Sequence, residues 1–350
     1  MPRIAIVKRE LHLLINIALR TCIAVAGIGI AVAILSSTLG IAIDSVLDKV
    51  VGAFTRPDIL RYFVVFLPIG LGLTVAFQAR LWNLGAEGQL VIGAIASTYV
   101  ALFTSIGTIP VLGPISSLIF AAIAGGLWSL IPILLRIYLR VNEALLTLMM
   151  NYIAYYIVNY LVYGHWRGRY VYGYPETDLI PEPCRLPWLP GYSFSIYSLI
   201  AVMVLIPVIY FFLYRTRTGT AIRALGTSIT AVELSGISSK RTAILAFVIS
   251  GAIAGFIGGN EVLMYHRKLV PGEKIGAGMG FTSILVAWFA DLNPLAIPLS
   301  AYYVSALHYL RMIVQVGELT EPVARFFTGI IFALLLISIF ISKYKVMIRK

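Results

Sequence analysis

The sequence predicts an all-α integral membrane protein of about ten transmembrane helices, with both the N- and C-termini in the cytoplasm. Composition is the first reason, because 60% of the 350 residues are hydrophobic, only 12% are charged and the mean hydropathy is +0.92. Soluble globular domains have about twice that charged fraction. The second reason is a series of apolar runs close to the length of about 20 residues that crosses a bilayer. The third is the distribution of Lys and Arg between alternate loops.

The apolar runs follow one another along the chain. The run after Arg20 is too long for a cleavable signal peptide, so we interpret it as the first membrane helix. The eighth run is short, and glycine-rich residues precede it, which predicts a broken or re-entrant helix. In order, the predicted spans are Thr21 to Leu39, Leu60 to Phe77, Leu90 to Ser105, Ile115 to Leu135, Ala144 to Tyr163, Ser195 to Leu213, Thr242 to Leu263, Phe281 to Ala290, Leu295 to Val314 and Val323 to Ile341.

The net charge of +12 is a signal of membrane topology. With the N-terminus in the cytoplasm, most of the 27 Lys and Arg residues fall on the inner side, as the positive-inside rule requires. An even number of spans then returns the C-terminus to the same side. The charge therefore predicts contact with the lipid bilayer and no nucleic-acid partner.

Two hydrophilic segments separate the predicted spans. The extracytoplasmic loop, residues 164–194, is rich in Tyr, Pro and Trp and has charges of both signs, so it is suited to docking a partner. The cytoplasmic segment, residues 214–241, combines basic residues with glycines and contains a helix-like stretch from Thr227 to Leu234. A positive-inside anchor without a partner is the alternative interpretation of the cytoplasmic segment.

A polar stretch from Trp82 to Gln89 lies between two apolar runs. It contains Asn83, Glu87 and two glycines where a membrane protein would favour hydrocarbon. Such residues are tolerated at the end of a membrane helix if they line a water-filled path or pack against protein. An ordinary cytoplasmic loop is the alternative, and spacing alone leaves both open.

The fifth apolar run has polar residues at every fourth position, namely Thr147, Asn151, Tyr155 and Asn159. Each step of four residues advances only about 40° around a helix beyond a full turn, so these side chains form one band. The band is expected to face protein or water. Binding of a sugar ring and interhelical hydrogen bonding explain it equally well. In the seventh run, glycines at positions 251, 255 and 259 predict close helix packing.

Motifs for catalysis and nucleotide binding are missing from the sequence. There is no Gly-x-x-x-x-Gly-Lys-Ser/Thr loop, so the chain is not expected to bind ATP itself. The four histidines are scattered, and Cys22 and Cys184 have no metal-ligand spacing. No pairing of a nucleophile with a base favours a membrane enzyme. The sequence thus predicts no cofactor, no metal and no enzymatic activity.

Six motifs in register resemble the ABC importer permeases of the nucleoside and simple-sugar branch. Each motif is weak alone, but together they cover nearly the whole chain from about Leu60 onward. The two departures are Trp82, where the family usually has Phe, and the Tyr- and Pro-rich outer loop. The motifs are Trp82–Gln89, Glu143–Tyr152, Ala224–Gly226 continuing through Ser235–Ile237, Ser250–Ala252 to Glu261, Leu269–Gly272 and Leu292–Leu295.

The resemblance implies a type II importer fold in one transmembrane domain, residues 1–350. It also implies three partners: an ABC ATPase at the cytoplasmic segment, a second homologous permease, and an extracytoplasmic substrate-binding lipoprotein. A heterodimer of permeases is favoured, although a homodimer satisfies the same geometry. The runner-up interpretation is an ion-coupled secondary transporter that uses Glu87, Glu143 or Glu261.

The predicted function is therefore translocation of a nucleoside or simple sugar through the membrane. The resemblance and the polar residues together define two candidate sets. The residues predicted to line the substrate path are Asn83, Glu87, Gln89, Asn151, Tyr155 and Asn159. The residues predicted to couple the chain to the ATPase are Gly219, Arg223, Gly226, Glu233 and Gly236.

Overall fold

The computed structural model describes residues 3–8, 29, 43–169, 173–317, 329–330, 333, 336–337, 340 and 344–349. All but one residue of the predicted first span, Thr21 to Leu39, and most of the predicted tenth, Val323 to Ile341, lie outside these residues. Six of the described helices are long and apolar enough to cross a membrane. The described residues thus account for six of the ten predicted spans.

The described part of the chain is mainly α-helical. Most of the predicted spans have a helix at the expected place, and their boundaries differ by a few residues. The elements are β1 Arg3–Lys8, α1 Ile43–Thr55, α2 Leu60–Gln78, α3 Ala86–Phe103, α4 Leu112–Leu139, α5 Glu143–Tyr163, α6 Ile196–Arg215, α7 Arg217–Leu225, α8 Ile229–Leu234, α9 Ser239–Asn260, α10 Gly272–Gly276, α11 Met279–Phe289, α12 Ile297–Gly317 and β2 Tyr344–Arg349.

Two helices differ from the sequence-based expectation. The helix α3 begins at Ala86, four residues before the predicted Leu90, because the polar residues of its first turn are buried against protein and do not end the helix. The helix α1 was not predicted, since Asp44, Asp48 and Lys49 interrupt its apolar residues. It packs beside α12, where the Tyr302 hydroxyl donates to the carbonyl of Phe54 at 2.5 Å.

The eighth predicted span is broken, as the glycine-rich sequence indicates. The short helix α10 and the eleven-residue α11 are joined through Ala277 and Gly278, which both have positive φ angles of 48° and 77°. At about 1.5 Å per residue, α11 is too short to cross a hydrocarbon core of about 30 Å. The preceding helix α9 also ends irregularly, in a π-helical turn over Glu261–His266.

Close packing of α9 against α3 and α4 forms the centre of the fold. A Cβ atom added to Gly255 would lie 2.8 Å from the Cα of Gly125, and one added to Gly93 would lie 2.1 Å from the Gly255 carbonyl oxygen. A Cβ atom on Gly251 would meet the side chain of Ser129 at 2.5 Å. The prediction of close packing along the α9 glycines is confirmed.

The all-α class is confirmed for the described part of the chain, apart from a short ribbon that joins its two ends. Strands β1 and β2 pair in an antiparallel ribbon, with Arg3 opposite Arg349 and Lys8 opposite Tyr344. Both segments contain β-branched residues, which fit an extended backbone. The ribbon was missed because six residues at each end give too short a pattern, and the two strands lie far apart in sequence.

Candidate functional site

The stretch from Leu81 to Gly85 is an extended segment that joins α2 to α3 and runs beside α5. The N–H groups of Trp82 and Leu84 donate to no backbone carbonyl that the structure describes, and a membrane offers no water to replace such a bond. Side chains of α5 act as acceptors instead. The N–H groups of Trp82 and Leu84 donate to Glu143 Oε1 at 3.3 Å and to Thr147 Oγ1 at 3.2 Å.

One helical turn further along α5, Asn151 binds both the extended segment and the start of α3. Its Oδ1 accepts from the Gly88 N–H at 2.8 Å, and its Nδ2 donates to the Leu84 carbonyl at 2.9 Å. A Cβ atom on Gly88 would lie 2.8 Å from Asn151 Oδ1, so glycine is required for this contact. Asn151 is completely buried.

The amide side chains of Asn83 and Gln89 bind each other within the protein. Asn83 Nδ2 donates to Gln89 Oε1 and Gln89 Nε2 donates to Asn83 Oδ1, both at 3.0 Å. Asn83 also binds Ser250 Oγ at 3.0 Å and accepts from the Gly85 N–H at 3.0 Å. Both amides are buried, so in this conformation they stabilise the junction of α3 with α9.

Glu87 is a fully buried carboxylate that holds the broken helix in place. Its Oε1 accepts from the Tyr155 hydroxyl at 2.7 Å and the Gly278 N–H at 2.9 Å, and its Oε2 accepts from the Gly280 N–H at 2.6 Å. Gly278 and Gly280 lie at the N-terminus of α11, where the helix dipole favours a negative charge. A Cβ atom on Gly276 would lie 2.0 Å from Glu87 Oε1.

At the far end of the band, Asn159 binds α10. Its Oδ1 accepts from the Gly272 N–H at 3.1 Å, and its Nδ2 donates to Glu273 Oε1 at 3.1 Å. Tyr155 and Asn159 are half-buried and Glu273 is exposed, so this end of the band is accessible while the end near Asn151 is closed.

The polar face of α5, which we define as Glu143, Thr147, Asn151, Tyr155 and Asn159, therefore binds non-helical backbone and Glu87 along its length. The sequence predicted a band of Thr147, Asn151, Tyr155 and Asn159, and these four residues all lie on α5. It missed Glu143 as a backbone acceptor, although this residue continues the four-residue spacing. It also missed Ser250, Glu273 and the amides of α11, for which the sequence has no local signal.

The three carboxylates considered for ion coupling are all bound within the protein. Glu143 pairs with Arg136 and Glu261 pairs with Arg61, whereas Glu87 accepts the three hydrogen bonds described above. None of the three is a water-exposed, unbound carboxylate in this conformation. The geometry gives no support to the ion-coupled alternative.

Replacement of Glu261 by Gln is expected to destabilise the chain by about 3–5 kcal/mol, because it leaves a buried guanidinium without its counter-charge. Arg61 Nη1 donates to Glu261 Oε1 at 2.8 Å, and the two side chains are 7% and 0% exposed. Thermal unfolding of the detergent-solubilised chain measures the effect. The control is Glu182→Gln, whose side chain is 89% exposed and lies 3.9 Å from Arg185, so its loss should cost about 1 kcal/mol or less. Equal shifts for the two variants would contradict the expectation.

The segment of residues 214–241, predicted to be cytoplasmic, is held against the ends of two long helices by its glycines. A Cβ atom on Gly226 would lie 1.9 Å from the carbonyl oxygen of Gln78, the last residue of α2. A Cβ atom on Gly219 would lie 2.0 Å from the carbonyl oxygen of Phe212 in α6. Arg223 Nε donates to the Leu213 carbonyl at 3.0 Å. These three predicted coupling residues fix the position of α7.

The short helix α8 projects from this segment. Ser228 Oγ caps it by accepting from the Ala231 N–H at 3.2 Å, and Val232 anchors it in the core. Glu233 Oε1 accepts from the Ser239 hydroxyl at 2.6 Å, which links α8 to the start of α9. Gly236 has a positive φ angle of 78°, which allows the turn between the two helices.

Two apolar residues of α8 are exposed and were not singled out from the sequence. Leu234 is 84% exposed and Ile229 is 58% exposed. An apolar surface this exposed is typical of a contact with another protein or with the membrane. In the sequence, the only signal for these two apolar residues is the helix-like stretch from Thr227 to Leu234 that contains them.

The loop predicted to be extracytoplasmic is folded back onto the π-helical turn after α9 and the residues that follow it. The Thr177 N–H donates to the Leu269 carbonyl at 3.0 Å, and the Ile180 N–H donates to the Arg267 carbonyl at 2.8 Å. Trp188 Nε1 donates to the Met264 carbonyl at 2.6 Å. The described part of this segment is thus an ordered surface beside the π-helical turn.

Comparison with known proteins gives a consistent result across most of the chain. The family described as branched-chain amino acid transport system / permease component matches residues 56–339. The matched region includes the polar face of α5, Glu87 and the cytoplasmic segment.

Three relatives illustrate the similarity. The guanosine ABC transporter permease protein NupP of Bacillus subtilis is 29% identical over 272 residues, covering 76% of this chain and 74% of the relative. NupQ of the same organism, also a guanosine ABC transporter permease protein, is 27% identical over 68% of this chain and 76% of its own length. The glucose ABC transporter permease protein TsgB13 of Haloferax volcanii is 25% identical over 85% of this chain and 80% of the relative. No solved structure matches the chain at a significant level.

Proposed function

Because the chain belongs to the branched-chain amino acid transport system / permease component family, we propose that it translocates a nucleoside or a simple sugar across the membrane. It is a multi-pass subunit of an ATP-binding cassette (ABC) importer in the plasma membrane, and it is not an enzyme. Permeases of this family work with an ATPase and an extracytoplasmic binding protein.

The proposed solute class is supported by the names of the relatives and by the polar residues. The relatives are permeases for guanosine and glucose, which share a hydroxyl-bearing sugar ring. Asn, Gln and Tyr present hydrogen-bond donors and acceptors without a fixed charge, which suits a neutral polar solute. The observation that carries the proposal is the polar face of α5, with one accessible end and one closed end.

The proposed substrate path consists of Asn83, Glu87, Gln89, Asn151, Tyr155 and Asn159. In the present conformation Tyr155 and Asn159 are half-buried, whereas the other four residues are buried. We infer that the path opens when α10 and α11 move away from Glu87. Broken helices with positive N-terminal dipoles are the usual moving parts at the midplane of transporters.

We propose that ATP hydrolysis is coupled to transport through a contact between an ATPase and α8. Leu234 and Ile229 seat in the ATPase, and Val232 anchors the helix to the membrane domain. Because Gly226 touches the backbone of Gln78, a displacement of α8 passes to the end of α2 and so to the extended segment that follows it. Rigid-body movement of the packed helices then opens the substrate path alternately to the two sides of the membrane.

The remaining assignments are also proposals. We place residues 164–194 outside the cell, as the docking surface for a substrate-binding lipoprotein. Residues 214–241 and both chain termini lie in the cytoplasm. The whole chain forms a single transmembrane domain of about ten spans. The side-by-side terminal strands support a common side for the two ends. The occurrence of NupP and NupQ in one organism supports a second, different permease as partner.

Reconstitution into proteoliposomes tests this function. Uptake of labelled guanosine and glucose is measured with the chain, an ATPase, a second permease and a binding protein, and then with each component left out. We expect ATP-dependent uptake only in the complete set. Uptake by the chain alone, driven by an ion gradient, would instead establish the secondary transporter. Substrate-stimulated ATP hydrolysis without the second permease would contradict the heterodimer and support a homodimer.

A further inference from the structure

A cavity of about 530 Å³ lies where three membrane helices have their ends on one side of the protein. The turn after α2, the last turns of α4 and the first turns of α9 form its walls, and the connection between α7 and α8 closes it. Its volume is within the range of about 300–1,000 Å³ that is typical of small-molecule sites. Since it lies at the ends of spans, it is at the level of the membrane–water interface.

Three basic residues line this cavity, which we call the interfacial cavity. Arg136 is paired with Glu143, so its charge is compensated. Arg80 and Lys240 form no ion pair with any residue that the structure describes. Lys240 Nζ lies 5.6 Å from the centroid of the Tyr138 ring, a contact that leaves its positive charge in place. Two uncompensated cations from different elements therefore face one cavity, which favours an anion.

The rest of the lining is mostly apolar. Ile133, Ile137 and Ala243 contribute aliphatic surface, and Thr227 and Ser239 add two hydroxyl groups near the rim. A small inorganic anion would leave this aliphatic surface without a partner. An amphiphile with an anionic head and an apolar tail matches both parts of the lining.

The surface of α4 next to the interfacial cavity is apolar and exposed, and its Tyr138 lies beside the lining residue Lys240. Beside the cavity on α4, the side chains of Leu134, Tyr138 and Leu139 are 36%, 68% and 66% exposed, as expected for a surface that contacts lipid. This surface can accommodate hydrocarbon chains of a molecule whose polar end occupies the cavity. Basic pockets between membrane helices are a known form of lipid-headgroup site.

We propose that the interfacial cavity binds the headgroup of an anionic phospholipid, with its phosphate between Arg80 and Lys240 and its acyl chains along α4. The bound lipid fills the space between the membrane helices and the α7–α8 connection. Gly226 lines the same cavity and touches Gln78, so the lipid supports the contact through which α8 reaches α2.

Native mass spectrometry of the assembled transporter, titrated with phosphatidylglycerol or phosphatidylcholine, tests the proposal. We expect one tight phosphatidylglycerol per copy of this chain and none for phosphatidylcholine. The double variant Arg80→Gln/Lys240→Gln should weaken the phosphatidylglycerol binding by about tenfold. The matched control, Arg215→Gln/Arg217→Gln, removes two exposed charges of the same segment outside the cavity and should leave binding unchanged.

Three additional measurements distinguish a seated lipid from a free anion and from general surface charge. Millimolar inorganic phosphate should not displace phosphatidylglycerol, and displacement would overturn the proposal in favour of a free anion. An equal loss in both double variants would overturn it in favour of general surface charge. Ala243→Leu keeps every charge and narrows the aliphatic part of the cavity, so it should also weaken lipid binding. Unchanged binding in this variant would overturn the proposed seat of the lipid, even if the charge variant failed to assemble.

Discussion

Replacement of Glu87 by alanine is expected to lower uptake by the assembled transporter at least about a hundredfold, while the chain still inserts into the membrane. The change removes the acceptor for three donors, the Tyr155 hydroxyl and the N–H groups of Gly278 and Gly280. A hydrogen bond to a charged group contributes about 1.5–3 kcal/mol, and about 1.4 kcal/mol corresponds to tenfold in rate. The loss of two such bonds in one state of the transport cycle is therefore enough to lower uptake about a hundredfold.

The conservative variant Glu87→Gln removes the negative charge of the side chain but keeps its size and shape. One amide oxygen cannot serve both N–H groups, and the amide nitrogen would face a donor, so uptake should fall by about tenfold. Glu182→Gln is the matched control, because its side chain is 89% exposed in the outer segment. Uptake is measured in proteoliposomes at equal amounts of inserted chain. Wild-type uptake by Glu87→Ala would rule out the proposed role of this carboxylate.

Replacement of Leu234 by aspartate is expected to abolish both uptake and substrate-stimulated ATP hydrolysis. Leu234 is the most exposed apolar side chain of α8, and a charge there would be buried without a partner if α8 seats in the ATPase. Because the side chain makes no contribution to the core, the membrane domain itself should fold normally. Co-purification of the ATPase with the tagged chain measures the docking directly.

The control for Leu234 is Thr218→Asp, which places the same charge at an exposed position of α7. It should retain the ATPase and most of the uptake. If Leu234→Asp also retains the ATPase and stimulates hydrolysis like the wild type, α8 is not the docking element. Loss of the ATPase in both variants would show a general sensitivity to charge in this segment.

The sequence predicted the polar face of α5 because its spacing is local. Side chains at positions 147, 151, 155 and 159 repeat with the helical period, so the face is evident before any tertiary structure is known. The same holds for the packing glycines of α9 and for the break before α11, where glycines replace a continuous helix. Each of these features depends only on residues that lie within a few helical turns of one another in the sequence.

The partners of that face could not be predicted in the same way. Glu87 and Gly278 are 191 residues apart, and Asn83 and Ser250 are 167 apart. Only the tertiary fold decides which backbone amide lies opposite a given side chain. For this reason the sequence left water and protein equally possible as neighbours of Asn151, and the structure shows protein in this conformation.

The exposure of Leu234 illustrates a different gap. Val232 and Leu234 are both apolar residues of one short helix, yet the first is 1% and the second 84% exposed. In a helix of six residues the hydrophobic pattern is too short to assign a buried side. The end of α7 at Gly226 sets the orientation of α8, and that depends on the contact with Gln78.

Cysteine accessibility during transport tests the central claim, that the polar face of α5 lines a path which is open at Asn159 and closed at Asn151. Asn159→Cys and Asn151→Cys are made after removal of Cys22 and Cys184, and the assembled transporter is treated with a small charged thiol reagent. We predict that Asn159→Cys reacts at rest, that Asn151→Cys reacts only during ATP turnover, and that transported substrate protects both. Inaccessibility of both cysteines in every state of the cycle would contradict the account and leave helix packing as the sole role of this face.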